Sequence, residues 1–425
     1  MNFPLFVGVD VGTSGIRAIA IDTHGNIQGQ SKLPLPPPKN IQNHISQDSI
    51  IWWDTLVSVL QALCRQIPSD HVTALSLNGT SATVLATDAD GTPISPALMY
   101  NDQHCIEAAQ MIANHVPANS GAQGASSSLA KLLWLKTQHT QPFHLHHQAD
   151  WLSANLSGKF HISDENNCLK LGYNSQDRCW PNWLKIFNIQ SYLPQVVPPG
   201  TLIGNITPKA SQQTGLPEST QIFSGTTDSI AAFMATGAKN PGNAVTTLGS
   251  TLVLKVLHTQ AIFSAKHGVY SHRLGDLWLI GGASNSGGAV LAKYFSEEDI
   301  KRLSKQINPL IPSPHHYYPL LRPGERFPLM DVTKTAKIHP VPNNPVEFLA
   351  GLLEGISQVE KTGYDTLIKL GSQDPSIIQS TGGGALNPQW TQIRQRLLNR
   401  QVKQASQTEA AYGSALLAKN GFFSQ

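Results

Sequence analysis

The N-terminal part of the chain contains two apolar runs. The first ends in an acidic residue, and a glycine-rich turn separates it from the second. The first run ends at Asp10, the turn reads Gly12-Thr-Ser-Gly15, and the second run continues to Asp22. Because the residues after the turn are strand-like rather than helical, the segment predicts a β-hairpin. Glycine backbone and short hydroxyl side chains can approach phosphate oxygens closely, and an acid at a strand end can hold hydrated Mg²⁺.

This turn differs from two common nucleotide-binding loops. The glycines at positions 8, 12 and 15 miss the G-x-G-x-x-G spacing, and no Gly-Lys-Ser/Thr sequence occurs. A dehydrogenase would also need an acid about twenty residues beyond its glycine motif, and Asp22 comes too soon. An apolar hairpin with a tight glycine turn can also be purely structural, so the phosphate interpretation depends on the rest of the chain.

Length, composition and charge favour a protein of two or three domains that acts on small molecules. The 425 residues suffice for large cores, and the net charge of +3, without runs of like charge, gives no basic surface for nucleic acid or membranes. The four cysteines are too dispersed for paired metal ligands and too few for a disulfide scaffold. With no apolar stretch of membrane-spanning length and no signal-like leader, we expect a cytoplasmic protein that binds neither nucleic acid nor a membrane.

Strands and helices alternate along the chain, which predicts an α/β fold with two lobes. The spacing of apolar residues predicts helices over 48–65 and 126–137, and strands over 26–33, 72–77, 83–87 and 97–100. A second segment, 244–256, resembles the N-terminal one, since Gly249-Ser-Thr251 separates two apolar strands. Two related halves would each offer a phosphate-binding hairpin to one cleft.

Three further polar segments can carry chemistry. Asp228 follows a strand and a Gly-Thr-Thr turn at the start of a helix, where it is either a helix cap or the base that accepts an alcohol proton while Asp10 positions Mg²⁺. A run of three glycines at 382–384, followed by Asn387, could hold an adenine ring on bare backbone. The strand-end segments 78–83 and 100–103 carry hydrogen-bonding groups suited to a polyol. Each segment alone is also typical of an ordinary turn.

The order of these motifs resembles that of the FGGY carbohydrate kinases, which belong to the actin/Hsp70/hexokinase-like ATPase superfamily. The similarity extends over essentially the whole chain and includes the segments 131–136, 324–328 and 409–418. Within the family the chain looks most like the cyanobacterial and plant-plastid group of D-ribulose or xylulose kinases. The Asp-Gly-Thr-Ser-Gly-Thr motif of that group is Asn78-Gly-Thr-Ser-Ala-Thr83 here.

This resemblance implies two RNase H-like domains, with ATP and sugar meeting in the cleft between them. The N-terminal domain would span residues 1–236, rejoined by a helix at 409–425, and the C-terminal domain residues 237–408. Asp10 falls on the Mg²⁺-associated catalytic acid and Asp228 on the catalytic base. The positions that bind phosphate or nucleotide are occupied by Gly12, Thr13, Ser14, Arg17, Gly249, Ser250, Thr251, Gly383, Gly384 and Asn387. The positions that bind sugar are occupied by Thr80, Ser81, Asp102 and Asp228.

The implied activity is ATP- and Mg²⁺-dependent phosphorylation of the C5 hydroxyl of a ketopentose by a monomer or homodimer. D-Ribulose is the expected sugar and D-xylulose the alternative. A non-catalytic ATP-binding sugar sensor of the same fold is disfavoured by Asp228, because a sensor does not need the base. The chain departs from the family where Asn78 replaces an acid and where His104 stands in place of the usual arginine.

Three polar clusters are predicted to be structural. His144-Leu-His-His147 is interpreted as a solvated loop before a helix, because no Cys or Glu lies at ligand spacing from it. The segment 315–318 is placed in a proline-rich loop. The segment 164–173 is also interpreted as structural, with substrate contact as the alternative.

Overall fold

The computed structural model describes residues 3–425, which form two compact units. Unit 1 contains the chain up to Ala235 together with Glu409–Gln425, and unit 2 contains Thr236–Thr408. The last seventeen residues therefore rejoin the first unit after the chain has completed the second.

The N-terminal part of unit 1 alternates strands and helices. Its strands are β1 (Leu5–Val11), β2 (Gly15–Ile21), β3 (Ile27–Pro34), β4 (Lys39–Ile41), β5 (His44–Gln47), β6 (Val72–Gly79), β7 (Val84–Thr87), β8 (Ala97–Leu98), β9 (His144–His147), β10 (Ile162–Asp164), β11 (Gln195–Val197), β12 (Leu202–Asn205) and β13 (Gln221–Thr227). Its α-helices are α1 (Ile50–Cys64), α2 (Ile106–Ala113), α3 (Ser128–Gln138), α4 (Gln148–Ser157), α5 (Pro208–Thr214) and α6 (Asp228–Ala235).

A six-stranded sheet with the order β12-β13-β6-β1-β2-β3 forms the centre of unit 1. The central strand β1 pairs antiparallel with β2 and parallel with β6, which in turn pairs parallel with β13. The hairpin predicted at the N-terminus is confirmed as β1 and β2. The helix predicted over 48–65 is confirmed as α1, whose buried Trp52, Leu56 and Val59 share a core with Val7 and Val9 of β1. Local apolar spacing was sufficient to find these elements.

Unit 1 also contains a five-stranded sheet, with the strand order β4-β5-β8-β7-β9. The solvated loop predicted at 144–147 was wrong, because these residues form β9, antiparallel to β7. His146 and His147 are buried there, and burial lowers the pKa of His146 to about 3, so that this ring is neutral. The pairing with β7 satisfies the backbone of a segment that has no strand-forming composition of its own.

Unit 2 contains the second predicted hairpin. Its strands are β14 (Ala244–Leu248), β15 (Leu252–His258), β16 (Tyr270–Leu274), β17 (Leu277–Ser284), β18 (Ile377–Thr381) and β19 (Gln401–Gln404). Its α-helices are α7 (Gly288–Tyr294), α8 (Glu297–Ser304), α9 (Pro345–Lys369) and α10 (Pro388–Leu398).

The six-stranded sheet of unit 2 has the order β16-β17-β15-β14-β18-β19. Its central strand β14 pairs antiparallel with β15 and parallel with β18, which is the arrangement of β1 between β2 and β6 in unit 1. Helix α9 packs on this sheet, and its buried face includes Leu349, Leu352 and Ile356. The α/β fold of two similar domains is confirmed.

The final helix, α11 (Ala410–Phe423), packs against β1 and α6 of unit 1. Two glycines allow this close approach. A Cβ atom at Gly8 of β1 would lie 2.0 Å from the Ala411 carbonyl oxygen, and one at Gly413 would lie 1.8 Å from the Ala231 carbonyl oxygen. No side chain fits at either position, so α11 lies directly on the strand that carries Asp10. Within residues 3–425, no helix combines the length and apolarity that a membrane crossing requires.

Candidate active site

Three neighbouring strands of unit 1 end at one edge of the central sheet and bring polar residues together. Asp10 of β1 is in register with Asn78 of β6, and Asn78 is in register with Thr226 of β13. Asp228 follows two residues later as the first residue of α6. Because the strands are parallel, their carboxyl ends meet, and the two predicted catalytic acids share this edge.

The electrostatics of Asp10 show that the two acids act on each other. Burial raises the pKa of Asp10 to about 6, and the negative charge of Asp228 adds to that rise. Arg17 and Lys32 oppose the shift but do not cancel it. Burial together with the charge of Asp228 thus outweighs the two cations at Asp10, a situation that favours a proton or a bound cation there.

The half-buried Asp228 combines a structural and an electrostatic role. Its Oδ1 accepts a hydrogen bond from the Ser229 backbone N–H at 2.6 Å, which holds the carboxylate at the start of α6. The capping interpretation is therefore compatible with the geometry. The same carboxylate exerts its charge on Asp10, so capping does not remove it from the site.

The turn between β1 and β2 presents short polar groups. The Gly12 N–H donates to the Gly15 carbonyl at 3.0 Å and closes the turn. Thr13 is half-buried and Ser14 is exposed, so both residues are accessible to a ligand. Arg17, on β2 opposite Asp10, forms an ion pair with Glu409 at the start of α11. Glu409 was part of a recognised motif, but sequence reasoning gave it no role, because its partner lies almost four hundred positions away.

The loop after β6 contains two of the predicted sugar-binding residues. The Thr80 hydroxyl is buried and bonds to Thr83 Oγ1 at 2.5 Å and to Gln148 Oε1 at 3.0 Å, so its contacts lie within the protein. Ser81 is half-buried and thus more accessible than Thr80. Asn78 is fully buried, and its amide donates to the Val9 carbonyl and to Ser414 Oγ. The neutral Asn78 therefore joins β6 to β1 and α11.

Lys131 of α3 stabilises this loop through hydrogen bonds. Sequence reasoning missed this role, although Lys131 lies in a recognised motif. Its Nζ donates to the carbonyls of Ala82 and Met99, each at 2.7 Å. Burial lowers the pKa of Lys131 to about 7, while the charge of Asp102 opposes this shift. Ala82 has a left-handed backbone with φ of +70°, so the Lys131 bond holds a strained residue in place.

Asp102 is fully buried and bonds to the protein through both carboxylate oxygens. Oδ2 accepts the Ile45 N–H at 2.6 Å, and Oδ1 lies 2.6 Å from His104 Nδ1. The structure thus places this predicted sugar-binding residue in a network with β5. A sugar hydroxyl would have to share those oxygens.

The polar segment that begins at Asp164 supports the sheet edge. Asp164 is fully buried, and its carboxylate accepts the backbone N–H groups of Asn166 and Asn167. Burial, with a contribution from the charge of Asp150, raises the pKa of Asp164 to about 7. The Asn166 amide donates to Thr226 Oγ1 at 3.0 Å, so this segment contacts the strand that delivers Asp228.

In unit 2 the predicted nucleotide-binding residues lie around the β14–β15 turn. The Gly249 N–H donates to the Thr251 carbonyl at 3.2 Å, and Ser250 is exposed. A Cβ at Gly384 would lie 2.8 Å from the Leu248 Cβ, whereas one at Gly383 would meet nothing within 4 Å. The hairpin turn and the glycine loop are therefore neighbours, and Gly383 leaves open space beside them.

Asn387 is engaged on both sides within unit 2. Its Oδ1 accepts the Trp390 N–H and caps α10, while its Nδ2 donates to Ser304 Oγ at 2.8 Å. The start of α7, which sequence reasoning missed, also contacts the hairpin turn, because the Gly288 N–H donates to the Gly249 carbonyl at 2.8 Å. The sequence Asn285-Ser-Gly-Gly288 was the available signal.

Two family models match almost the whole chain. The N-terminal domain of the FGGY family of carbohydrate kinases matches residues 5–235, and the C-terminal domain of that family matches residues 244–420. The chain belongs to the FGGY family of carbohydrate kinases. The matched ranges contain the sheet edge with Asp10 and Asp228 and the β14–β15 hairpin.

Individual relatives agree with this family and its fold. A xylulose kinase of Staphylococcus epidermidis is 22% identical over 444 aligned positions, which cover 98% of this chain and 87% of the relative. The crystal structure of xylulose kinase from Rhodospirillum rubrum has a TM-score of 0.86 at 20% identity, with coverage of 98% and 90%. That of Plasmodium falciparum glycerol kinase with ADP has a TM-score of 0.87 at 18% identity, with coverage of 100% and 90%. These relatives share the two-domain sugar kinase fold.

Proposed function

We propose that this carbohydrate kinase transfers the γ-phosphate of ATP to the C5 hydroxyl of a ketopentose. D-Xylulose is the favoured sugar, since several relatives, including those of Staphylococcus epidermidis and Escherichia coli, are named xylulose kinase. D-Ribulose, the sugar expected from the sequence, gains no support from these names. It is the second candidate because of the Asn78-Gly-Thr-Ser motif.

The observation that carries this proposal is the pair of acids at the strand ends of unit 1. Asp228 would accept the proton of the C5 hydroxyl as its oxygen attacks the γ-phosphorus in line and ADP leaves. Burial and the negative charge of Asp228 raise the pKa of Asp10, which favours a proton or a cation at this edge.

The residues present fit Mg²⁺ and a polyphosphate. Asp10 is half-buried, carries a hard oxygen donor and faces a second acid, so it would hold Mg²⁺. Bound Mg²⁺ supplies positive charge that stabilises the transferring phosphoryl group. In unit 1, the hydroxyls of Thr13 and Ser14 would contact phosphate oxygens. In unit 2, the turn at Gly249 and the open backbone at Gly383 would contact the nucleotide. The ADP in the Plasmodium glycerol kinase structure supports a nucleotide site of this kind.

The sugar would be selected by hydrogen bonds around Ser81. A hydroxyl that leaves one polar group of the pocket unpaired costs about 1 to 3 kcal/mol, or roughly tenfold to a hundredfold in kcat/KM. D-Xylulose and D-ribulose differ at one stereocentre, so the enzyme should prefer one without excluding the other. The cytoplasmic location and the monomeric or dimeric state expected from the sequence remain predictions.

A coupled assay of ADP release tests the proposal. D-Xylulose, D-ribulose, L-xylulose, L-ribulose, glycerol and gluconate are compared at equal ATP and Mg²⁺, with wild type beside Ser81→Ala. D-Xylulose should give the highest kcat/KM, and Ser81→Ala should lower that value mainly through KM. A maximum with D-ribulose would select the second candidate, and a maximum with a non-pentose would overturn the ketopentose assignment. If no polyol stimulates ADP release, the proposed transfer is wrong.

A further inference from the structure

A group of two histidines and one aspartate converges near the start of β5. His44 is the first residue of β5, and Asp102 and His104 follow β8, its neighbour in the five-stranded sheet. Their donor atoms all lie within 4.8 Å of one another. In the chain from residue 3 onward, no other group of three or more His, Cys, Asp or Glu side chains converges in this way.

The three groups lie close enough to share one proton or one metal ion. His44 Nδ1 lies 3.0 Å from His104 Nδ1, and His104 Nδ1 lies 2.6 Å from Asp102 Oδ1. The third distance, from His44 Nδ1 to Asp102 Oδ2, is 3.6 Å. Two imidazole nitrogens this close cannot both present lone pairs to each other, because the lone pairs repel. Either one proton or one metal ion must lie among the three groups.

Two imidazoles and one carboxylate form a ligand set that divalent first-row transition metals use. Tetrahedral Zn²⁺ with bonds of about 2.0 to 2.2 Å keeps its ligand atoms roughly 3.3 Å apart, and the three distances observed bracket this value. We propose that His44, Asp102 and His104 bind one divalent transition-metal ion, with Zn²⁺ as its representative. The His44 side chain is 35% exposed, which gives the ion access and leaves a coordination position for water.

The surroundings hold these ligands in place. The Ile45 N–H donates to Asp102 Oδ2 at 2.6 Å and fixes the buried carboxylate. The Trp134 ring contacts both imidazoles, with centroid distances of 5.6 Å to His44 and 4.4 Å to His104. Such supporting contacts orient metal ligands before the metal arrives.

The ligand set is a property of this chain and is separate from the Mg²⁺ position proposed at Asp10. His104 stands where the sequence comparison above expects arginine, and an arginine cannot ligate a metal because it stays protonated. Asp102 is also one of the expected sugar-binding residues. An ion bound here would therefore fix a carboxylate next to the sugar-binding segments and change the KM for sugar.

Direct metal titration of the full-length chain tests this site. Chelator-treated protein is titrated with Zn²⁺ by calorimetry and with Co²⁺ by visible absorption, without sugar, nucleotide or Mg²⁺. Wild type should bind one Zn²⁺ with micromolar or tighter affinity, and Co²⁺ should show the absorption of a histidine-ligated ion. His44→Gln and His104→Gln should each weaken that binding by roughly tenfold or more.

The matched control is His115→Gln, which changes an exposed histidine of the same unit outside the cluster and should leave binding unchanged. Circular dichroism before titration establishes that each variant is folded; His44 is the most exposed ligand, so its variant is decisive. Absence of micromolar Zn²⁺ binding, or binding that both ligand variants leave intact, overturns the site. Because neither sugar nor ATP is present, that failure would leave the proposed kinase activity untouched.

Discussion

The hairpins of the two units have the same backbone arrangement but differ in charge. In unit 1, two positions before the turn glycine Gly12, the central strand carries Asp10 beside Asn78. In unit 2, two positions before Gly249, it carries Thr247, whose hydroxyl bonds to that of Thr381 at 2.8 Å. One sheet edge holds an acid and the other a pair of neutral hydroxyls.

Unit 2 buries one oppositely charged pair whose charges neutralise each other. Glu360 and Arg394 are fully buried and joined by two hydrogen bonds of 2.6 and 2.7 Å, with Thr246 and Ser380 as further partners. Asp10 in unit 1 faces another acid instead. The corresponding sheets therefore lie beside a neutralised ion pair in unit 2 and carry, in unit 1, an acid whose pKa is raised by burial and by a neighbouring acid, and this acid marks where the chemistry is proposed.

The largest expected effect is on turnover. Asp228→Asn removes the base but keeps the shape of the side chain, so kcat should fall by roughly two to four powers of ten while ATP and sugar binding persist. Steady-state kinetics and binding titrations measure both quantities. Thr247→Val, in the hairpin of unit 2, is the control, with only a slight effect on kcat expected. Near-normal turnover of Asp228→Asn would leave Asp228 as a helix cap alone.

The next effect concerns the neutralised pair of unit 2. Arg394→Met leaves the Glu360 carboxylate buried without its partner, which should lower the free energy of unfolding by about 3 to 5 kcal/mol. Urea denaturation measures this loss. The exposed pair of Arg302 and Asp299 is the control, since Arg302→Met should cost at most about 1 kcal/mol. Equal losses would show that burial of the Arg394 pair has no energetic consequence.

A pH-dependent effect is expected at Asp10. The pKa of Asp10 is raised from 3.8 to about 6, so its contribution to stability is complete below pH 3.8 and is lost as the pH rises through 6. Without metal, Asp10→Asn should therefore be more stable than wild type by about 2 to 3 kcal/mol at pH 7.5, and equally stable near pH 3.5. Chemical unfolding at the two pH values measures the difference. A variant that is less stable than wild type at pH 7.5 would refute the raised pKa of Asp10.

The smallest effect lies in the loops that follow corresponding strands. The loop after β18 turns at Gly382 with φ of +80°, whereas the loop after β6 turns at Ala82 with φ of +70°. Ala82→Gly should stabilise unit 1 by about 1 kcal/mol, because glycine adopts this backbone without a Cβ clash. Thermal unfolding measures the gain. A loss of stability would mean that the added backbone freedom of glycine outweighs the relief of strain at this position.

Local sequence patterns predicted the elements that form between residues close together in the chain. The alternation and turn glycines gave both hairpins, and the spacing of Trp52, Leu56 and Val59 gave α1. The strand at 144–147 was missed because its pairing with β7 involves residues about sixty positions earlier in the chain. The spacing of its histidines does not indicate that a distant strand pairs with this segment.

The candidate site was predictable in its residue types but not in its contacts. Acids and glycines at strand ends identified Asp10 and Asp228. The ion pair of Arg17 with Glu409, the bond of Thr80 to Gln148 and the approach of His44 to Asp102 each join distant parts of the chain. Only the folded topology brings these partners together, so no local spacing could have indicated them.

The central claim is that Asp10 and Asp228 oppose each other at one sheet edge, and a titration of Asp10 tests it most directly. Carboxyl ¹³C NMR of aspartate-labelled protein without metal would follow the ionisation of Asp10 in wild type and in Asp228→Asn. The pKa of Asp10 should be about 6 in wild type and should fall in the variant while staying above 3.8, because burial remains when the neighbouring charge is removed. A wild-type value near 3.8, or one that Asp228→Asn leaves unchanged, would contradict the claim.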